Sequence, residues 1–84
     1  METRVALIGI MVEEHEAVEQ LNTLLSQYGK FIIGRMGIPY PQKEVSLISI
    51  AIDAPADEIS ALSGKIGRLK GISAKVIYQK GKQA

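Results

Sequence analysis

Val5-Ala-Leu-Ile-Gly-Ile-Met-Val12 is the stretch of sequence that decides the fold, and Val45-Ser-Leu-Ile-Ser-Ile-Ala-Ile52 has the same character. Side chains on a β-strand point alternately to the two faces of a sheet, so a strand with one wet face alternates apolar and polar residues. Neither stretch alternates in this way. Both therefore predict central strands of a sheet whose two faces are covered.

The segment after the first strand (residues 4–12) predicts a helix. Glu13, Glu14 and Glu16 mark its start, because acidic side chains favour the positive end of a helix dipole. Gly29 predicts a left-handed stop at its end. The apolar residues between them recur at three- and four-residue spacing, typical of an amphipathic helix: Ala17, Val18, Leu21, Leu24, Leu25 and Tyr28.

The remaining elements follow from similar signals. Residues 31–38 predict a strand, in which Gly34 and Gly37 indicate a bulge or a close approach of another backbone. Residues 39–43, with two prolines, predict a turn before the strand at 45–52. Residues 53–58 open a second helix that we expect to end at Gly71. Residues 72–79 predict the last strand. Gly64 and Gly67 lie inside the second helix and predict a close packing contact there, against either the sheet or a partner helix.

The order βαββαβ predicts an α+β, ferredoxin-like fold: a four-stranded antiparallel sheet, with the first and third strands central and two helices on one face. We expect one domain over residues 1–84, with 79–84 as a polar tail. Two helices cover only one sheet face, so a second copy is expected to cover the other. That face carries one of two sets from the first strand: either Val5, Leu7, Gly9 and Met11, or Ala6, Ile8, Ile10 and Val12.

Composition supports an interaction protein. The chain is 46% hydrophobic over 84 residues, and no apolar run approaches the roughly 18 residues that cross a bilayer, so we expect no membrane segment and no leader sequence. No cysteine occurs, which removes disulfides, thiolate nucleophiles and iron–sulfur ligation and fits a reducing cytoplasm. A net charge of +1 gives no overall basic field for nucleic acid.

Candidate chemistry is sparse. His15 is the only histidine, and with its glutamate neighbours it is either an acidic helix start or a metal site. Adjacent helical residues point in different directions, so the metal interpretation needs two copies. Arg35, flanked by Gly34 and Gly37, is either a fork for a carboxylate or a charge on an edge strand. The sequence contains no convergent cluster of His, Cys or acidic residues. It therefore predicts no enzyme, no metal site and no bound cofactor.

Several stretches together resemble a small family of iron-only hydrogenase system regulators. The resemblance covers nearly the whole chain, and Gly34-Arg-Met-Gly-Ile-Pro-Tyr40 is its most specific part. The other matching segments are Arg4-Val-Ala-Leu-Ile-Gly-Ile-Met-Val12, Ala17-Val-Glu-Gln-Leu-Asn22, residues 25–29 and Leu69-Lys-Gly-Ile72. The family is similar in fold to ACT domains and to the C-terminal domain of nickel-responsive repressors. This implies a regulatory module that assembles through its sheets.

The resemblance also implies a place for a ligand. ACT domains bind small ligands between the first strand–helix turn and a partner's second strand, which by position is residues 11–14 and 35–37 here. The ACT glycine is absent, because the turn reads Val12-Glu-Glu-His15, and a nickel site is not expected with one histidine and no cysteine. The candidate ligand, a zwitterion such as an amino acid, would contact residues of one chain or of two copies: Glu13, Glu14, His15, Arg35, Met36, Gly37 and Tyr40.

The favoured hypothesis is a non-enzymatic, cytoplasmic regulatory module. It would form a homo-oligomer, sense a small ligand and contact a separate DNA-binding or hydrogenase-related protein. Two alternatives stay open from the sequence. One is a small enzyme or metal-handling protein in hydrogenase cofactor assembly, and the other is nucleic-acid binding by the oligomer through scattered basic residues.

Overall fold

A four-stranded antiparallel sheet forms one layer of the structure, a computed structural model in which residues 2–81 are described. The spatial order of the strands is β2-β3-β1-β4, so β1 and β3 are central, as the sequence predicted. The order along the chain is βαββαβ, with short 3₁₀ turns on either side of β2. The elements are β1 Arg4–Val12, α1 Ala17–Gln27, β2 Ile32–Tyr40, β3 Val45–Ala54, α2 Ala56–Gly67 and β4 Ile72–Tyr78.

Both helices pack on the same face of this sheet. Along β1 the exposure alternates strictly: Ala6, Ile8, Ile10 and Val12 are buried, and the residues between them are exposed. The buried set joins the apolar stripes of α1 and α2 in one core, which holds Leu21, Leu25, Ile59, Leu62 and Ile66 together with Ile48, Ile50 and Ile52 of β3. The predicted core therefore lies between sheet and helices. The first strand turns its other set, Val5, Leu7, Gly9 and Met11, to the open side.

Gly29 does not end α1 as the sequence predicted. Gly29 has no left-handed backbone, and it opens a 3₁₀ turn over Gly29–Phe31 instead, so that prediction is wrong. α1 ends at Gln27, and Tyr28 donates its backbone N–H to Leu25 O at 3.1 Å. Gly71 is left-handed, with φ of 74°, but α2 has already ended at Gly67. A single turn separates the helix end from the glycine.

The strand ends also differ from the prediction. β2 continues through Pro39 and Tyr40, because β2 is an edge strand and tolerates a residue without an N–H. The chain reverses over Pro41–Lys43. β3 continues to Ala54, so Asp53 belongs to the strand and not to the second helix. The bulge suggested by Gly34 is confirmed, as the register of β2 against β3 shifts between Ile32 and Gly34.

Two smaller expectations also have outcomes in the described residues. A Cβ added at Gly67 would meet nothing within 4 Å, and one at Gly64 would come nearest the Arg68 guanidinium at 3.7 Å. Packing of these glycines against the sheet was therefore a wrong prediction, and packing against a partner helix stays a prediction. Gln79, the first residue of the predicted tail, donates its N–H to Val5 O at 2.8 Å. Residues 82–84 of that tail lie outside the described part of the chain.

Candidate functional site: an acidic groove and an open sheet face

One end of the sheet forms a groove between the β1–α1 turn and the β2–β3 turn. The strand pairing places it there, since Val12 of β1 is opposite Ser46 of β3 and Tyr40 of β2 is opposite Val45. The groove has a cavity volume of about 410 Å³. We call it the acidic groove; its lining residues are Val12, Glu13, Glu14, His15, Glu16, Pro39, Tyr40, Pro41, Glu44, Val45 and Ser46.

The acidic groove carries negative charge. Four glutamates line it, at positions 13, 14, 16 and 44, and no lysine or arginine does. His15 and Tyr40 add a ring nitrogen and a hydroxyl, both of which can donate or accept a hydrogen bond. Glu44 reaches the groove from a left-handed backbone with φ of 56°, at the end of the turn that precedes β3. Such a lining favours a ligand that carries positive charge.

Gly71 holds one wall of the acidic groove in place. Its carbonyl accepts the Glu13 backbone N–H at 2.7 Å, which ties the β1–α1 turn to the loop before β4. The Glu14 side chain lies directly against Gly71, where a Cβ would overlap it. Glycine is required here for two reasons, its positive φ and the close approach of Glu14. The loop after α2 therefore positions two of the predicted ligand-binding residues.

Four of the seven predicted ligand-binding residues come together in one subunit, and three do not. Glu13, Glu14, His15 and Tyr40 line the acidic groove. The other three, Arg35, Met36 and Gly37, lie further back along β2. Within a subunit, the proposed arginine fork is therefore not part of the groove.

Each of these three residues has a different environment. Arg35 is opposite Ile50, on the helix side of the sheet, and its Nη2 donates to Asn22 Oδ1 of α1 at 3.0 Å. Met36 is opposite Ser49, on the open side, and 59% of its surface is exposed. Gly37 is opposite Ile48, and a Cβ there would lie 3.8 Å from Ile48 Cγ1. Two of the three therefore face the helix layer, and only Met36 faces outward.

The second candidate surface is the sheet face that no helix covers. We call it the helix-free face. Nine large apolar side chains are exposed in residues 2–81. The strand register places eight of them on the helix-free face, and the ninth, Ile33, lies at the bulge of β2. Ile77 is the most exposed, at 68%. The eight are Val5, Leu7, Met11, Met36, Ile38, Tyr40, Leu47 and Ile77.

The sequence predicted two alternative β1 sets for this face, and the structure selects Val5, Leu7, Gly9 and Met11. The outward residues of β2 were missed because that strand carries two glycines and a proline, which obscure its alternation. Ile77 could have been found from the spacing of Ser73 and Lys75, since all three share one face of β4. Gly9 lies at the centre of the face, opposite Ser49 of β3 and Lys75 of β4.

Several kinds of site have no counterpart in the part of the chain that the structure describes. No group of three or more His, Asp or Glu side chains in residues 2–81 could hold a metal ion. Every buried residue in this range is hydrophobic, and none is an Asp, Glu, His, Lys or Arg. Among the described helices, none is both long and apolar enough to cross a membrane.

The fold and these two surfaces define the class of protein: a small ferredoxin-like α+β domain with an apolar sheet face left open. The chain belongs to the TM1266-like family, described as "Iron-only hydrogenase system regulator, putative", whose model matches residues 4–76. The resemblance noted in the sequence is thereby confirmed.

A solved structure agrees with this assignment. The chain is similar to "uncharacterized protein TM1266 from Thermotoga maritima", with 31% identity and a TM-score of 0.90. The match covers 94% of this chain and 100% of that one. A comparison with curated proteins gives no match.

Proposed function

We propose that the chain is a non-enzymatic regulatory module of an iron-only hydrogenase system, and that it works as a homo-oligomer formed through the helix-free face. The observation that carries this proposal is the set of eight exposed apolar side chains on that face. Monomeric proteins rarely expose a contiguous apolar patch larger than a few hundred Å². The family description supports the regulatory role and the system it serves.

The size of the helix-free face suits a stable dimer. Strands of 7 to 10 residues make a sheet of four strands. At about 3.3 Å per residue and about 4.8 Å between strands, one face covers roughly 550 Å². Two such faces packed together bury roughly 1,100 Å², which passes the threshold of about 1,000 Å² for a specific interface. The hydrophobic effect would then stabilise the pair.

A second copy is the partner that the charges of this face favour. The outward positions of the two central strands and β4 include one acid and one base, Asp53 and Lys75, so the face has no net charge from them. Two identical faces would therefore bring no excess of either charge into the interface. A two-fold pair uses the same patch on both subunits, and this is the commonest symmetry of soluble oligomers.

The lack of catalytic groups supports a role in binding. Enzymes place ionisable side chains in environments that shift their pKa values, usually by burial or by a close charge. No Asp, Glu, His, Lys or Arg side chain is buried in positions 2–81. A metal-handling role likewise finds no ligand cluster in that range. The cysteine-free composition supports a cytoplasmic location.

We place the regulatory ligand of this module in the acidic groove. The glutamates would pair with an ammonium group, and the His15 ring and the Tyr40 hydroxyl would donate hydrogen bonds to a carboxylate. A free amino acid combines both groups. Arg35, Met36 and Gly37 could join this site only from a second copy, because within the subunit they lie away from the groove.

A thermal-shift screen with the twenty amino acids tests the ligand. Glu13→Gln should weaken the response to any amino acid that binds, because the ammonium loses a charged partner. Glu19→Gln is the matched control, since Glu19 lies in the first turn of α1 outside the groove. Arg35→Ala should abolish the response while leaving the oligomer intact, if a second copy contributes that guanidinium. Equal responses in the unaltered protein and the Glu13→Gln variant would contradict the proposed site.

A further inference from the structure

Gly9 has no structural reason to be glycine within its own subunit. It lies at the middle of central strand β1, where glycine weakens a strand because it packs no side chain and loses more freedom on folding. Gly71 is the only described glycine with a positive φ. A Cβ at Gly9 would have one neighbour, Lys75 O at 4.0 Å, which is ordinary contact. No contact within residues 2–81 of the subunit therefore accounts for a glycine at this position.

The missing side chain leaves a depression in the helix-free face. We call it the Gly9 trough; the lining residues whose side chains share this face are Gly9, Met11, Leu47, Ser73 and Lys75. The trough has a cavity volume of about 490 Å³ and is mostly apolar. It can accept a large aliphatic side chain.

Leu7 is the side chain on this face that is placed to fill such a trough. It lies two residues from Gly9 on the same strand, is 48% exposed and is not among the residues that line the trough. Residues two apart on a strand are separated by about 6.6 Å. A two-fold axis that passes between the two positions would place Leu7 of each copy over Gly9 of the other. One symmetry operation then makes two identical contacts.

We propose that the face-to-face dimer is held in register by the reciprocal insertion of Leu7 into the Gly9 trough of the second copy. This inference rests on the self-association proposed above and adds the register and the residues that fix it. Gly9 is then a specificity residue of the interface, and substitutions there act on assembly without damage to the fold.

The test measures the dimer dissociation constant by sedimentation equilibrium in four variants and one control variant, with thermal unfolding of the dilute protein as a check on folding. Gly9→Leu fills the trough and should weaken association about 100-fold, the effect expected at a central interface position. Leu7→Ala leaves the trough empty and should weaken association by a similar factor. Gly9→Ala adds one methyl group in open space, so it should weaken association by about 10-fold while it raises the unfolding temperature of the monomer.

The decisive variant exchanges the two positions. Leu7→Ala combined with Gly9→Leu again presents one large and one small residue, so insertion is restored with the roles reversed. Association should return to within about 10-fold of the unaltered protein. Gly67→Ala, in α2 and away from the sheet, is the control and should not change association.

The outcomes separate the two proposals. If the unaltered protein dimerises and Gly9→Leu dimerises as tightly, the insertion is overturned while the proposed function stands. If both single variants are folded and weakened but the exchange variant is not rescued, the register is wrong. If the unaltered protein stays monomeric at all concentrations, the proposed assembly fails and this inference fails with it.

Discussion

Gly71→Ala should strongly lower the stability of the fold, because it alters the loop that supports the acidic groove. Alanine at a φ of 74° costs about 1–2 kcal/mol relative to glycine, because its Cβ crowds the backbone. The new Cβ would also overlap the Glu14 side chain and lie 3.1 Å from the Glu14 backbone nitrogen. Relieving such an overlap costs about 1–3 kcal/mol.

Together these two effects predict a loss of about 3 kcal/mol in the free energy of unfolding. A chain of 84 residues has a total stability of roughly 4–12 kcal/mol, so the loss is a large share of it. The expected fall in melting temperature is about 12–24 °C. The free energy of unfolding is measured by urea denaturation, monitored by far-ultraviolet circular dichroism. Protein concentration is held fixed, because the stability of an oligomer depends on it.

Two further variants test whether the loss of stability comes from the backbone conformation of Gly71 and its contact with Glu14. Gly29→Ala is the matched control: Gly29 has no positive φ and nothing within 4 Å of an added Cβ, so its effect should be within about 0.5 kcal/mol. Glu14→Gly removes the overlapped side chain, so Gly71→Ala should cost less in that background, by about 1–2 kcal/mol. A Gly71→Ala variant as stable as the unaltered protein would refute the account of this loop.

Three other changes test the core and the faces. Ile50→Ala removes a side chain with no exposed surface and should cost about 2–5 kcal/mol in urea unfolding; a loss under about 1 kcal/mol would contradict its place in the core. Leu47→Lys puts a charge on the helix-free face and should yield folded monomers by light scattering, whereas an intact oligomer would exclude Leu47 from the interface. Methionine oxidation by peroxide should be slower at Met11 and Met36 in concentrated than in dilute protein, and equal rates would show that the face stays wet.

The sequence was sufficient to predict the architecture, because its strongest signal identifies which strands lie at the centre of the sheet. The lack of alternation in residues 5–12 and 45–52 identified the two central strands, and the structure confirms both positions. Which β1 set faces the helices could not be predicted, since Ile8 and Leu7 are equally apolar. A double lysine substitution at Ile8 and Ile50 would therefore disrupt the core, because both residues are fully buried on the helix side.

The local predictions failed where distant pairing decides the backbone. Gly29 has the composition of a helix stop, but the left-handed glycine in the structure is Gly71, where Glu14 approaches from another element. For Arg35 the sequence left open a fork for a carboxylate and a charge on an edge strand. The bulge after Ile32 and the register with β3 place it on the helix side of edge strand β2, beside Asn22. Neither contact leaves a signal in the nearby sequence, because each joins residues from separate elements.

The acidic groove could be predicted only in part for the same reason. Glu13, Glu14 and His15 follow β1 directly, so their position at the end of the sheet was clear from the sequence. The contribution of Glu44 was missed, because it depends on how the β2–β3 turn folds back beside the start of α1. With four glutamates in place of the expected mixture of charges, the groove favours the ammonium group of a ligand over its carboxylate.

The molar mass of the unaltered protein in solution tests the central claim most directly. Sedimentation equilibrium over a range of concentrations should give at least twice the 9.1 kDa of one chain, with dissociation only on strong dilution. A mass of 9.1 kDa at every concentration would contradict the account, because eight large apolar side chains would then stay exposed to water on one sheet face.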